Sequence, residues 1–426
     1  MLEDYESATP KSKKLWARAL KVFAGGVNHN IRTFGLDVCN SHPPFIARGE
    51  GSHLWDVDGN EYVDYWLTHY SAILGHNHPI IQKAIVDRAQ DGHHLGALNE
   101  HQVEMAERMQ DAIPFFEKMR FCSTGGEATM YAVRLARLFT GKPLVAKAFG
   151  GWHGGNDAVG YHIKHPYDDE PWYDGVTFNY NDKESVDRLL ERHGEDIAAF
   201  IVEPVLGAGG GLPPRNGFLS YLREETEKRG IVLIFDEIIT GFRLTYGSAG
   251  LNLFGVEPDL ATFGKIAGGG MHLGAYGGRK DIMHLAAPHA EGGRWVGGGT
   301  FSSHPLSMVA GSAALDELQK RRDDFSKLND KGDQFREKIN EILHDKGQSA
   351  ISTGTGSIVF IHTLKDNIDL PLTGEKLGRL LDRKSLAEFQ SKLIEKGVFG
   401  HHGLGALSFA HSEEDLEFTL DAIAEV

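Results

Sequence analysis

A run of five apolar residues at 231–235 most constrains the fold of this chain. Its length and its continuous apolar character are typical of a β-strand that is buried on both faces. Similar short runs alternate along the middle of the chain with stretches of helical periodicity. These other runs lie at 144–149, 198–202 and 260–263. The alternation predicts an α/β fold with a mainly parallel sheet between helices.

The chain is long enough for more than one compact unit, because 426 residues exceed a single small core. We expect a large domain at 71–304, flanked by an N-terminal segment at 1–70 and a C-terminal region at 305–426. The C-terminal region carries long amphipathic stretches at 308–318 and 325–343. The two chain ends are therefore predicted to form a smaller α+β domain.

The formal net charge of −15 argues against nucleic acids and anionic membranes as partners, since both favour a basic surface. The sequence shows no apolar leader, no Arg-rich transit segment and no apolar stretch long enough to span a membrane. It contains only two cysteines, which is typical of a reducing compartment. These features predict a cytoplasmic protein.

Two charged residues follow predicted strands, where ligands of parallel sheets bind. Asp236 comes directly after the run 231–235, and Lys265 follows the run 260–263 and precedes a glycine-rich segment. A carboxylate at the end of a buried strand is costly without a partner, although Asp also commonly caps a helix. A lysine held in a partly desolvated place can act as a nucleophilic amine, or it can simply be solvated. Each residue taken alone leaves both interpretations open.

Two glycine-containing segments complete this pattern. Thr124, Gly125 and Gly126 open a predicted helix, where backbone N–H groups can bind an anion or form an ordinary helix start. Trp152, between glycines after the strand at 144–149, can cover a planar ligand or anchor a loop. Together with Asp236 and Lys265, these segments supply a phosphate anchor, a stacking face, an anion and an amine. Pyridoxal 5'-phosphate (PLP) requires these four features.

The assembled motifs resemble those of the class-III PLP-dependent aminotransferases of fold type I, and most of all their glutamate-1-semialdehyde 2,1-aminomutase-like subgroup. The resemblance covers nearly the whole chain. The matching segments lie at 25–34, 54–65, 73–79, 123–137, 150–155, 201–210, 234–243, 263–279 and 299–311. It implies a PLP-binding large domain with a seven-stranded type of sheet, and a homodimer with shared active sites.

The resemblance also implies a role for each matching residue. Lys265 would form the Schiff base with the cofactor, and Asp236 would pair with the pyridine nitrogen; these are the catalytic residues. Arg32 would receive the substrate carboxylate, beside His69 and His153 as further substrate-binding residues. No metal site is expected. The remaining cofactor-binding residues are Thr124, Gly125 and Gly126 at the phosphate, Trp152 and Ile238 on the ring faces, Glu203 near the ring, and Thr300 at the phosphate of the neighbouring subunit.

The chain departs from the aminomutase pattern where the substrate pocket is expected. The departures are His29–Asn30–Ile31 before Arg32, His69 in place of a tryptophan, the loop 291–298, and the segment 403–407, which has no acid. They favour an aminotransferase that moves an amino group from an amino acid or β-amino acid to a 2-oxo acid. The alternatives are the 2,1-aminomutase of tetrapyrrole precursor synthesis, and an amino-acid racemase or epimerase. Donor, acceptor, stereochemistry and assembly beyond a dimer stay open.

Overall fold

The computed structural model describes residues 2–163, 176–294, 297–366 and 373–426, with side chains from residue 5 onward. Residues 295 and 296 of the loop 291–298 therefore lie outside the described part of the chain. The chain divides into two compact units. The smaller comprises Met1–His78, Leu328–Asp369 and Leu380–Val426, and the larger comprises Pro79–Lys327 and Leu370–Arg379.

Helices and strands are numbered along the described chain. The helices are α1 Leu2–Ala8, α2 Pro10–Val22, α3 Leu67–Tyr70, α4 Pro79–Ala89, α5 Glu100–Ala112, α6 Gly125–Thr140, α7 Lys183–His193, α8 Phe218–Lys228, α9 Ala249–Phe254, α10 Lys280–Met283, α11 Pro305–Lys320, α12 Phe325–Asp345, α13 Gly374–Leu380, α14 Arg383–Glu395 and α15 Glu413–Glu425. The strands are β1 Ile46–Glu50, β2 His53–Asp56, β3 Glu61–Asp64, β4 Lys118–Cys122, β5 Leu144–Ala148, β6 Thr177–Phe178, β7 Ile197–Val202, β8 Val232–Asp236, β9 Leu260–Gly264, β10 Gly274–Gly278, β11 Ala350–Thr353, β12 Ile358–Thr363, β13 Val398–Phe399 and β14 Gly405–Ala406.

The larger unit is built on a seven-stranded sheet with the order β4–β10–β9–β8–β7–β5–β6. Strand β10 runs antiparallel to both of its neighbours, and the other pairs are parallel. Every residue of β7, β8 and β9 is buried, as their continuous apolar sequences require. The predicted α/β fold with a mainly parallel seven-stranded sheet is confirmed.

Helix α11 belongs to the larger unit, where it packs on α4 and α5. The sequence analysis had placed the amphipathic stretch 308–318 in the C-terminal small domain. Small residues explain the difference, because Ala310, Gly311 and Ala314 are buried and allow close helix packing. A Cβ at Gly311 would lie 2.4 Å from the carbonyl oxygen of Ala267, so this helix also seats the turn that follows β9.

The smaller unit contains a four-stranded sheet, β1–β2–β3–β13, and a three-stranded sheet, β11–β12–β14. Strands β2 and β3 form a hairpin, and Asp56 Oδ1 accepts hydrogen bonds from the backbone N–H groups of Asp58, Gly59 and Asn60 in its turn. Strand β13 then adds parallel to β3, which joins the two chain ends in one sheet. Among the described residues, no helix has the length and apolar character needed to cross a membrane.

Candidate active site

Asp236 is the last residue of β8, at the carboxyl end of a central strand, and only 4% of its surface is exposed. Its Oδ2 lies 2.8 Å from His153 Nδ1. Its Oδ1 accepts hydrogen bonds from Thr262 Oγ1 at 3.2 Å and from the Ile238 backbone N–H at 3.1 Å. These three contacts offset the cost of burying a carboxylate at this edge of the sheet.

His153 lies against this carboxylate. Burial lowers the pKa of His153, while the hydrogen bond to Asp236 acts in the opposite direction. A neutral imidazole donates its Nδ1–H to Asp236 and leaves Nε2 as an acceptor, and this buried Nε2 has no hydrogen-bond partner among the described residues. The sequence analysis had grouped His153 with the substrate-binding residues. Its side chain is fully buried and contacts Asp236.

Lys265 begins a 3₁₀ turn directly after β9. Its φ of +44° lies in the left-handed region, which non-glycine residues occupy mainly where the surrounding structure enforces it, often at functional sites. Burial lowers the pKa of Lys265, against the opposing influence of the Asp236 and Glu203 carboxylates. The lowered pKa favours the unprotonated amine, which is the nucleophilic form.

Glu203 directly follows β7 and is 3% exposed. Its Oε1 accepts from the backbone N–H of Trp152 at 3.1 Å, and its Oε2 accepts from that of Gly207 at 2.9 Å. Burial, reinforced by the Asp236 carboxylate, raises the pKa of Glu203 to about 8. The side chain therefore holds a proton at neutral pH.

The first turn of α6 lies beside these groups. Thr124 caps the helix and accepts from the backbone N–H of Glu127 at 3.2 Å. A Cβ at Gly125 would lie 2.7 Å from Ile238 Cδ1, so the glycine allows Ile238 to approach the helix start. Gly126 lies against Gly154, whose φ is +93°. A Cβ on Gly154 would lie 2.6 Å from Gly126 Cα. The backbone N–H groups of a helix start are suited to an anion.

Trp152 and Thr300 are exposed, and 40% of the Trp152 surface is accessible. The glycines before Thr300 lie over α6 of their own chain: the backbone N–H of Gly298 donates to Tyr131 Oη at 3.3 Å. A Cβ at Gly297 would lie 2.1 Å from the Tyr131 ring, so only glycine fits there. This contact positions the loop that carries Thr300.

Arg32 and His69 belong to the smaller unit. Both line a cavity of about 520 Å³ whose other walls are largely apolar and aromatic. Arg32 lies in a 3₁₀ turn, Asn30–Thr33, and His69 lies in α3, which is a single left-handed turn. The His69 ring stacks on Trp66 with centroids 4.4 Å apart.

In the larger unit the structure brings Asp236, His153 and Ile238 together, and it links Glu203 to Trp152 through the Trp152 backbone. The sequence analysis missed Thr262, although a hydroxyl within an otherwise apolar strand next to β8 was a usable signal. It also missed Tyr131, which contacts the glycines before Thr300, and Trp66, which stacks on His69. The sequence offers no signal for these two contacts.

The comparisons with known proteins agree with this geometry. The model of the aminotransferase class-III family matches residues 38–403. The chain belongs to the class-III aminotransferase family. A glutamate-1-semialdehyde 2,1-aminomutase from Methanosarcina acetivorans is 39% identical to it, over 99% of each chain.

Two solved structures share the fold. A β-phenylalanine aminotransferase from Variovorax paradoxus superposes with a TM-score of 0.88 at 30% identity, over 99% of this chain and 94% of that one. An omega-transaminase from Sphaerobacter thermophilus superposes with a TM-score of 0.86 at 32% identity, over 97% of this chain and 96% of that one. The predicted fold type I is confirmed.

PLP is the cofactor of this class-III enzyme, and the residues present fit it. A buried carboxylate with three neutral partners can meet a protonated ring nitrogen. A lysine with a lowered pKa is available for the aldehyde, and the glycine start of α6 is available for the phosphate.

Proposed function

We propose that this chain is a glutamate-1-semialdehyde 2,1-aminomutase, which moves the substrate's amino group from carbon 2 to carbon 1. The observation that carries this proposal is the 39% identity to the Methanosarcina acetivorans aminomutase over 99% of both chains. The family resemblance supports it, because it assigns Lys265 to the amine, Asp236 to the ring nitrogen and Arg32 to the substrate carboxylate.

We propose that Lys265 would bind the PLP aldehyde, that Asp236 would meet the ring nitrogen, and that the start of α6 would hold the phosphate. Trp152 and Ile238 would cover the two ring faces, and Thr300 would reach the phosphate in the neighbouring subunit of a homodimer. The cofactor, when bound, withdraws electrons from the carbon that carries the amine. The remaining phosphate and ring residues in this proposal are Thr124, Gly125, Gly126 and Glu203.

The protein's own residues move the protons in this proposal. Lys265, with its lowered pKa, takes a proton from the substrate carbon and returns it to another position. Asp236 keeps a proton on the ring nitrogen, and His153 holds Asp236 in place by its Nδ1–H. Arg32 receives the substrate carboxylate through its planar guanidinium.

A second candidate is intermolecular transfer from an amino acid or β-amino acid to a 2-oxo acid. One observation favours it. The solved structures at 30% and 32% identity are a β-phenylalanine aminotransferase and an omega-transaminase.

One assay separates the candidates. Purified enzyme is incubated with glutamate-1-semialdehyde alone. In parallel it is incubated with β-phenylalanine plus 2-oxoglutarate or pyruvate, and with alanine plus 2-oxoglutarate. Conversion of glutamate-1-semialdehyde to 5-amino-4-oxopentanoate without an oxo acid supports the aminomutase. Its absence, together with oxo-acid-dependent transfer from β-phenylalanine, would overturn the first proposal in favour of the second.

A further inference from the structure

A cavity of about 410 Å³ lies in the larger unit, where strands β8 and β9 begin. Its lining includes Ile231, Val232 and Pro258, at or just before the first residues of these strands. Asp236 and Lys265 lie at the opposite, carboxyl ends of the same two strands. The cavity is therefore separate from the candidate active site.

Arg223, on helix α8, presents an unused edge of its guanidinium to this cavity. Its Nη1 donates to Asp259 Oδ2 at 3.0 Å, and 22% of its side chain is exposed. Among the described residues, the buried Nε has no hydrogen-bond partner and Nη2 makes no hydrogen bond. Nε and Nη2 lie along one edge of the planar group, so they can donate two parallel hydrogen bonds to a carboxylate.

The second guanidinium of the cavity is already occupied. Arg279 donates from Nη1 to Asp259 Oδ1 at 2.7 Å, and from Nε and Nη2 to the two carboxylate oxygens of Asp281 at 3.1 and 2.6 Å. It also lies over the Phe139 ring, 5.4 Å from the ring centroid. Arg279 therefore forms a wall of the cavity, and Arg223 is the group that can receive an anion.

Glu227 lies beside Arg223 and lines the same cavity. It is exposed, and its carboxylate forms no ion pair with another described residue. Because it follows Arg223 by four residues in α8, the two side chains share one face of the helix. An arginine four residues before a glutamate is the weaker order for a direct pair, which agrees with their separation. An ammonium group held by Glu227 would lie close to a carboxylate held by Arg223.

The charges of the lining favour a zwitterion over a simple anion. Arg223 and Arg279 are offset by Asp259, Glu227 and Glu257, so the cavity carries no excess of positive charge. An α-amino acid bears its carboxylate and its ammonium on one carbon, which suits two neighbouring side chains of opposite charge. The remaining walls are largely apolar and suit an apolar side chain.

We propose that this cavity is a second, non-catalytic binding site for an α-amino acid with an apolar side chain. Arg223 donates to the ligand's carboxylate from Nε and Nη2, and Glu227 accepts from its ammonium. The site goes beyond the proposed function. It is compatible with either reaction, because neither Lys265 nor Asp236 takes part.

The test measures binding of L-norvaline by calorimetry. The PLP-loaded enzyme is first treated with methoxyamine and desalted, so that the cofactor aldehyde cannot react with an added amine. Pentanoate and butylamine are the comparison ligands, because each keeps the apolar chain and only one of the two charges.

Two variants remove the proposed contacts. Arg223→Lys keeps a cation beside Asp259 but cannot form two parallel hydrogen bonds to a carboxylate. Glu227→Gln removes the charge that holds the ammonium. Glu224→Gln is the matched control, because Glu224 is an exposed residue of α8 that does not line the cavity.

We expect the wild type to bind norvaline about 10-fold more tightly than either comparison ligand, as a hydrogen bond to a charged group allows. Arg223→Lys and Glu227→Gln should each lose about 10-fold for norvaline, and Glu224→Gln should bind like the wild type. Glu227→Gln should bind pentanoate no more weakly than the wild type does.

Three results would overturn the proposal. They are wild-type binding of norvaline no tighter than that of pentanoate, unchanged norvaline binding in Glu227→Gln, and equal losses in Glu227→Gln and Glu224→Gln. Arg223 also supports Asp259, so Glu227→Gln decides the matter if Arg223→Lys fails to fold. The amino-transfer assay tests the proposed function separately, since these binding measurements are made with the cofactor aldehyde blocked.

Discussion

His153 offers the sharpest test of how the site is built. Replacing it with leucine removes the donor 2.8 Å from Asp236 Oδ2, in a place where the His153 and Asp236 side chains are 0% and 4% exposed. The carboxylate keeps Thr262 and the Ile238 backbone N–H as donors to Oδ1, but Oδ2 is left without its partner. A hydrogen bond to a charged group contributes about 1.5–3 kcal/mol, so we expect the larger unit to lose about 2 kcal/mol of stability.

The measurement is urea unfolding of the PLP-free enzyme, followed by the cofactor dissociation constant of each variant. His153→Asn is the matched variant, because its amide nitrogen stands close to where the imidazole Nδ1 stood and can donate to Asp236. We expect His153→Asn to recover at least half of the lost stability and to retain PLP better than His153→Leu.

Two outcomes would refute this reasoning. If His153→Leu unfolds within about 0.5 kcal/mol of the wild type, the hydrogen bond to Asp236 does not support the buried carboxylate. If His153→Asn is as unstable as His153→Leu, the loss reflects packing of the imidazole ring, and the donated proton is not what matters.

Three further predictions concern the same unit. Glu203 has a pKa of about 8 in the folded state, whereas the unfolded chain releases this proton near pH 4.5. The free energy of unfolding of the wild type, relative to that of Glu203→Gln, should therefore fall by about 3 kcal/mol between pH 5.5 and pH 8. Urea unfolding of both proteins across this range measures the difference. Gly154→Ala places a Cβ 2.6 Å from Gly126 Cα at a φ of +93°; it should lower the melting temperature and release PLP, as seen in the absorbance of the bound cofactor. Lys265→Ala should abolish the borohydride-trapped cofactor adduct on intact-mass analysis, whereas an adduct in that variant would remove Lys265 from its role.

The central strands could be predicted from the sequence because their burial on both faces demands continuous apolar residues. Strand β10 could not, since its sequence, GAYGG, is typical of a flexible loop. The structure explains those glycines, because a Cβ at Gly274 would lie 2.2 Å from the Thr124 carbonyl oxygen and one at Gly278 would lie 2.2 Å from that of Asp259. Close approach of neighbouring backbones selects glycine here, and local sequence patterns do not reveal such contacts.

The sequence allowed Asp236 and Lys265 to be grouped because the ends of adjacent parallel strands lie at one edge of a sheet. The partner of Asp236 could not be predicted, since His153 is 83 residues away and reaches the carboxylate only through the folded loop after β5. The left-handed turn at 67–70 was equally hidden. Its residues Leu67, Thr68, His69 and Tyr70 carry no glycine signal, and buried neighbours impose the conformation.

Glu203 and Asp236 are held by different partners. Asp236 has an imidazole, a hydroxyl and a backbone N–H around its carboxylate, whereas Glu203 accepts hydrogen bonds from two backbone N–H groups. Burial, together with the Asp236 carboxylate, raises the pKa of Glu203 to about 8, so Glu203 adds little negative charge beside Lys265 at neutral pH. An ionised Glu203 would favour the protonated lysine, which is not nucleophilic, whereas burial lowers the pKa of Lys265. The environment of Glu203 therefore favours the unprotonated amine that the proposed role of Lys265 requires.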